Sequence, residues 1–230
     1  YQETVQPKQL PMQVIHNGLL SKDFSGVEVH SEASDFLFVG ELRKLKGVDL
    51  LLEALAAVNA CRKAGQPPIR ATIVGDGPDA EEFKQLALQL GVERHVQFTG
   101  AMPVRDAMVQ GQCLILPSRA ESLPYIALEA AAAGRPLIAT DVGGLSEIVQ
   151  GSETGLVKPD NAVALGQAMA QFLANRAGAY RKANLLKEIV ADRFSVADMT
   201  TAIDDFYYTS LGRRPVVRMP DTTGALRTAA

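Results

Sequence analysis

The feature that most constrains this chain is a repeating unit: a short apolar run, a turn holding glycine or proline, then a stretch whose apolar residues recur at helical spacing. Phe36-Leu37-Phe38-Val39 and Cys113-Leu114-Ile115-Leu116 are apolar at every position. Strands of that kind are buried on both faces, as in a parallel sheet covered by helices. The pattern predicts strands at Phe36–Gly40, Ile69–Val74, His95–Thr99, Cys113–Leu116 and Pro136–Thr140, with Gly155–Val157 as a sixth, edge strand. It predicts helices over Val48–Ala64, Ala80–Leu90, Val104–Gln110 and Pro124–Ala133, a helical turn at Ser146–Gln150, and helices over Asn161–Asn175, Tyr180–Ala191 and Val196–Ser210. Strict strand–helix alternation implies a doubly wound α/β domain with a parallel sheet of about six strands. The expected layout is a linker-like segment over 1–34, the domain over 35–210, and an extended or disordered tail over 211–230 that holds Arg213, Arg214, Arg218 and Arg227.

Composition narrows the function classes. The chain has 230 residues, 47% apolar and 21% charged, enough for one substantial core. A net charge of −3 argues against a general nucleic-acid binder. No apolar run reaches the length of a membrane helix. Cys61 and Cys113 are expected as reduced core residues without metal-ligand spacing, which suits a cytoplasmic protein. The opening Tyr1-Gln2-Glu3-Thr4 has neither an initiator methionine nor a signal-peptide layout and suggests a fragment.

In a doubly wound sheet, ligands bind outside the carboxyl ends of the strands, so the loops there are the candidates. The segment Gly40-Glu41-Leu42-Arg43-Lys44-Leu45-Lys46-Gly47 puts cations just before a helix N-terminus, a setting that suits a diphosphate or, equally, a solvated loop. Gly75-Asp76-Gly77-Pro78 lets backbone approach a ligand or simply makes a tight turn. It lacks the third glycine of the dinucleotide fingerprint, which argues against a dehydrogenase. Pro124 suits the first helical position, with Ser122 or Leu123 as cap and Glu121 at the rim. The free N–H groups of Leu123 to Ile126 would then hold a phosphate. Glu129 lies among Ile126, Ala127, Leu128 and Ala130 to Ala133, and is either a buried carboxylate bonded to a hydroxyl or backbone donor, or an exposed one.

Taken in order, Phe38-Val39-Gly40, Lys46-Gly47-Val48-Asp49-Leu50-Leu51, Ile73-Val74-Gly75-Asp76-Gly77-Pro78, Phe98-Thr99-Gly100, Leu116-Pro117-Ser118, Glu121 with Glu129-Ala130, and Gly134-Arg135-Pro136 with Val142-Gly143-Gly144 resemble the C-terminal domain of glycosyltransferase family 4. These are the "group 1" retaining transferases of GT-B architecture, and the similarity covers roughly residues 14 to 210, from the linker-like Ile15-His16-Asn17-Gly18 onward. The resemblance implies a Rossmann-like domain, the C-terminal half of a GT-B fold, whose partner is a nucleotide-diphosphate sugar. It implies catalytic roles for Lys46, on the diphosphate, and Glu121, against the donor sugar. Donor binding would fall to Arg43, Gly75, Gly77, the backbone near Met102, Ser122, Leu123, Pro124 and Tyr125, with Glu129 on the ribose. No metal or other cofactor is implied, and the sequence has no Asp-x-Asp pair. The family usually carries arginine where this chain has Glu41, so Arg43 is the expected substitute cation. The resemblance further implies a missing N-terminal acceptor domain, a cytoplasmic site at the inner face of the membrane in the full-length protein, and an exposed aromatic patch at Phe206, Tyr207 and Tyr208. Competing readings are a non-catalytic nucleotide-binding adaptor of the same fold, a nucleotide-sugar epimerase, and a phosphorylase.

Overall fold

A computed structural model of the chain describes residues 12–212. The arginines of the tail, Arg213 to Arg227, therefore lie outside the described residues. The chain divides into two compact units, Leu19–Ser195 and a smaller one whose described residues are 12–18 and 196–212. The larger unit holds a six-stranded sheet: β1 Ser34–Val39, β2 Ala71–Val74, β3 Val96–Gly100, β4 Gly111–Leu116, β5 Leu137–Thr140 and β6 Leu156–Val157. The order is β3-β2-β1-β4-β5-β6, and every pairing is parallel. The helices are α1 Val48–Ala60, α2 Ala80–Gln89, α3 Val104–Ala107, α4 Tyr125–Ala132, α5 Leu145–Val149, α6 Ala162–Ala174, α7 Arg176–Arg193 and, in the smaller unit, α8 Val196–Ser210.

The all-apolar strands explain the two layers. Phe36, Phe38, Ile73, Cys113 and Ile115 point to one face and pack with α1, α2 and α6. Leu37, Val74, Leu114 and Leu116 point to the other and pack with α3, α4, α5 and α7. Successive strand residues face opposite ways, so an apolar residue at each position supplies both cores at once. Edge strand β3 departs from this, leaving Gln97 exposed between the partly buried Val96 and Phe98. Gly111 opens β4 earlier than the apolar run suggests: it pairs with Ser34, and a Cβ there would sit 2.5 Å from the Leu37 Cβ.

Side-chain bonds set several helix ends. Asn59 donates to the Ile69 carbonyl at 3.0 Å and accepts from the Ile69 N–H at 2.8 Å, tying the end of α1 to the run into β2. The helix therefore stops at Ala60, and Cys61 lies exposed beyond it rather than in the core; Cys113 is buried as expected. Asn161 caps α6 by accepting from the Ala164 N–H, and Asn175 does the same for α7 through Gly178. That second cap starts α7 at Arg176, ahead of the Tyr180 expected from periodicity. In the smaller unit Met199 of α8 accepts from the Gly18 N–H, and of the three aromatic residues Tyr207 is exposed while Phe206 and Tyr208 are partly covered. Among the described residues no helix is long and apolar enough to cross a membrane.

Candidate functional site

The strand order reverses direction between β1 and β4, so their following loops leave to opposite sides and open a crevice at the carboxyl edge. The loop after β1 carries Lys46, and the loop after β4 carries Ser118, Arg119 and Glu121. Gly47 lets them meet. It has φ 73°, and a Cβ there would lie 2.0 Å from the Pro117 carbonyl oxygen. Gly75 and Gly77 serve the same end one loop away: Cβ atoms would lie 1.9 Å from the Gly40 oxygen and 2.5 Å from the Leu42 oxygen. What approaches these two glycines is the backbone of the first loop, and the Leu42 N–H donates to Asp76 O across the contact.

Lys46 Nζ donates to both oxygens of Glu121, at 2.8 and 3.0 Å. Ser118 Oγ donates to Glu121 Oε1 at 2.7 Å, and the Ser118 carbonyl accepts from Thr140 Oγ1 at 2.6 Å. The Glu121 side chain is only 9% exposed, against 29% for Lys46. Glu121 is thus a fully engaged, nearly buried carboxylate, not a rim residue. The loop after β5 packs against its backbone: Gly143 at φ 52° would place a Cβ 1.9 Å from the Glu121 carbonyl oxygen, and the Gly144 N–H donates to Ser122 O.

Arg119 escaped the sequence reading. Its guanidinium grips Asp49 in the first turn of α1 with two bonds, Nη1 to Oδ1 at 2.9 Å and Nη2 to Oδ2 at 2.7 Å. It also donates to Asp160 at 3.0 Å and to the Lys44 carbonyl, while its own N–H donates to Leu45 O at 2.8 Å. The bond to Asp49 holds the guanidinium's pKa above its ordinary value. The available signal was an acid in a helix's first turn opposite an arginine at the same sheet edge. The remaining cations are also paired. Arg43 lies 3.4 Å from Glu41, both half exposed, and Lys44 lies 2.7 Å from Glu82, which raises its pKa. Glu41 thus turns to Arg43 and partly neutralises the expected substitute cation.

Pro124 stands one residue earlier than expected: with ψ 112° it is the N-cap, and α4 begins at Tyr125. Ser122 and Tyr125 are exposed, Leu123 is partly covered and Pro124 is buried. Met102 is partly buried against the core on the α4 side of the sheet. Glu129, on α4, is partly buried, and burial raises its pKa above the ordinary carboxylate value. Its carboxylate makes no hydrogen bond or ion pair among the described residues and its oxygens reach solvent, an outcome that lies between the two alternatives, buried and bonded or exposed. An open cleft of about 820 Å³ lies elsewhere, lined by Leu156 of β6, Gln171 of α6 and Lys182 of α7. It gathers none of the paired charges described above, so the switch point is the better candidate.

Residues 33–175 match the family described as "Glycosyl transferases group 1". Among curated proteins the chain is 29% identical over 221 residues to glycogen synthase of Mycobacterium tuberculosis, covering 93% of this chain and 52% of that protein. The chain therefore spans about half the length of the curated relatives it matches. Among solved structures it resembles Anabaena HepE in complex with UDP, with TM-score 0.74 and 23% identity over 86% of this chain and 57% of that one. It also resembles the C-terminal domain of a group 1 family glycosyl transferase, LpcC, from Francisella tularensis, with TM-score 0.63 and 20% identity over 82% of this chain and all of that one. These structural likenesses concern the fold: a Rossmann-like α/β domain of the kind that forms the C-terminal half of a GT-B enzyme.

Proposed function

Since the chain belongs to the group 1 glycosyl transferases, we propose that it is the donor-binding half of a retaining enzyme that moves a sugar from a nucleotide-diphosphate sugar to a glycan or lipid-linked acceptor. The carrying observation is the meeting of Lys46 and Glu121 at the β1/β4 switch point. In this reading Lys46 takes the diphosphate and Glu121 the hydroxyls of the donor sugar. The N–H groups of Ser122, Leu123 and Tyr125, at and just before the start of α4, add partial positive charge toward the phosphates. Glu129, with its acceptor capacity unused among the described residues, takes the ribose hydroxyls. The backbone near Met102 meets the base. Gly75, Gly77 and Arg43 shape and rim the pocket rather than grip the ligand, because their space and charge are already engaged.

Transfer breaks the bond between the anomeric carbon and the diphosphate oxygen, whose electron pair stays on the diphosphate. The acceptor oxygen bonds to the carbon and its proton passes to the departing diphosphate. Lys46 and the α4 N-terminus stabilise the charge that builds on the leaving group, an electrostatic contribution that needs no metal. The acceptor belongs to a further N-terminal domain in the full-length protein, working in the cytoplasm at the inner face of the membrane. This chain alone is expected to bind nucleotide weakly and to transfer no sugar.

Titration calorimetry with UDP, GDP and ADP on the wild type and Lys46→Ala tests the reading. One of the nucleotides should bind, and the substitution should weaken it by about tenfold to a hundredfold, the range for a hydrogen bond to a charged group. A second reading, a nucleotide-binding adaptor without transfer, draws on the Glu41–Arg43 pair. No binding of any nucleotide would favour an adaptor that has lost its ligand.

A further inference from the structure

We propose that Arg119 is a positioning residue for the donor site, holding the turn that carries Lys46 in the one place from which its ammonium reaches the crevice. The proposal rests on the donor-site reading above. Lys46 ends a 3-10 turn, Lys44–Lys46, whose backbone is held at two successive carbonyls by the same residue. Lys44 O accepts from the Arg119 guanidinium and Leu45 O accepts from the Arg119 N–H. The guanidinium is fixed in turn by its two bonds to Asp49, one turn past Lys46 on α1, and by Asp160 before α6. One side chain thus joins the loops on both sides of the switch point to the start of the helix that follows Lys46. The planar fork of arginine makes that possible; lysine, a single ammonium, cannot hold two carboxylate oxygens and a carbonyl in one plane. Because Asp49 and Asp160 neutralise it, Arg119 works through Lys46 and not as a second cation for the phosphates.

The arms of the network differ in weight. Asp49 is 22% exposed at its side chain and grips the fork in two places, whereas Asp160 is 71% exposed and makes one contact. Exposed single ion pairs contribute little, so Asp49 is the arm that matters.

Two measurements on the full chain test this. The first needs no ligand. The Lys46 ammonium, held by Glu121, should give an exchange-protected side-chain signal by nitrogen NMR in the wild type and in Asp160→Asn, and lose it in Arg119→Lys and Asp49→Asn; persistence of the signal in both of the latter overturns the proposal. The second follows UDP binding by NMR shifts up to millimolar nucleotide, so that weak affinities are measured. Arg119→Lys and Asp49→Asn should each weaken UDP binding about tenfold in the wild-type background and leave it unchanged in a Lys46→Ala background. An equal loss in both backgrounds, or none in either, contradicts positioning through Lys46 and leaves Arg119 a fold staple. A wild-type chain that takes up none of UDP, GDP and ADP contradicts the donor-site reading itself and removes the assignment with it. Should Arg119→Lys fail to fold, Asp49→Asn carries the same comparison.

Discussion

Two glutamates eight residues apart show how differently one loop–helix segment treats a carboxylate. Glu121, in the loop after β4, is nearly buried and fully matched: two bonds from Lys46, one from Ser118, and the Gly143-Gly144 turn packed behind it. Glu129, on α4, is partly buried with no partner among the described residues, and its pKa rises for that reason. The first is held by partners within the fold, with Lys46 and Ser118 in place before any ligand arrives. The second carries a desolvation cost that no partner among the described residues offsets.

Three substitutions break or sharpen that contrast. Gly143→Ala should have the largest effect, because it adds left-handed backbone strain of about 1–2 kcal/mol and forces a Cβ into the Glu121 carbonyl. A loss of about 2–4 kcal/mol in urea unfolding is expected; tolerance within about 0.5 kcal/mol would mean that the turn does not hold Glu121 in place. Glu121→Gln keeps the shape and removes the ion pair, for an expected loss of about 1–2 kcal/mol. It also removes the carboxylate that competes for Lys46, so free UDP should bind about threefold more tightly at low salt. Weaker UDP binding would show that Glu121 itself supports the phosphates.

Glu129→Gln should act in the opposite sense and least. A raised folded-state pKa means that the folded protein holds its proton to higher pH than the unfolded chain does. Stability from this group is therefore fully present below the ordinary value of 4.5 and is lost as pH rises through the higher folded value. At neutral pH the glutamine variant should be the more stable, an advantage that shrinks toward and below pH 4.5. An equal or lower melting temperature at neutral pH would show that the carboxylate is already satisfied.

Much of the architecture was legible before any coordinates. Phe36-Leu37-Phe38 and Leu114-Ile115-Leu116 cannot serve a one-faced sheet, but the β1/β4 switch point was not legible, because apolar strands do not fix the order in which they pair. Lys46 and Glu121 were legible as candidates through the resemblance, though not as partners 2.8 Å apart, because nothing local relates positions on opposite sides of the switch point. Arg119 was missed for the same reason: its main partner, Asp49, lies 70 residues away. Cys61 was misplaced because the end of α1 is set by Asn59 bonding to Ile69, a contact that helical periodicity does not contain. Gly75 and Gly77 were correctly marked as sites of close approach, but composition does not say whether backbone or ligand does the approaching.

The central claim is that the Lys46–Glu121 pair marks an anion site at the β1/β4 crevice. A crystal structure of the chain grown with saturating UDP tests it most directly. The account predicts the diphosphate within hydrogen-bond reach of Lys46 Nζ and the start of α4, with a ribose hydroxyl on the Glu129 carboxylate. Nucleotide lodged in the cleft beside β6, with the Lys46–Glu121 pair undisturbed and Glu129 still unpartnered, would contradict it.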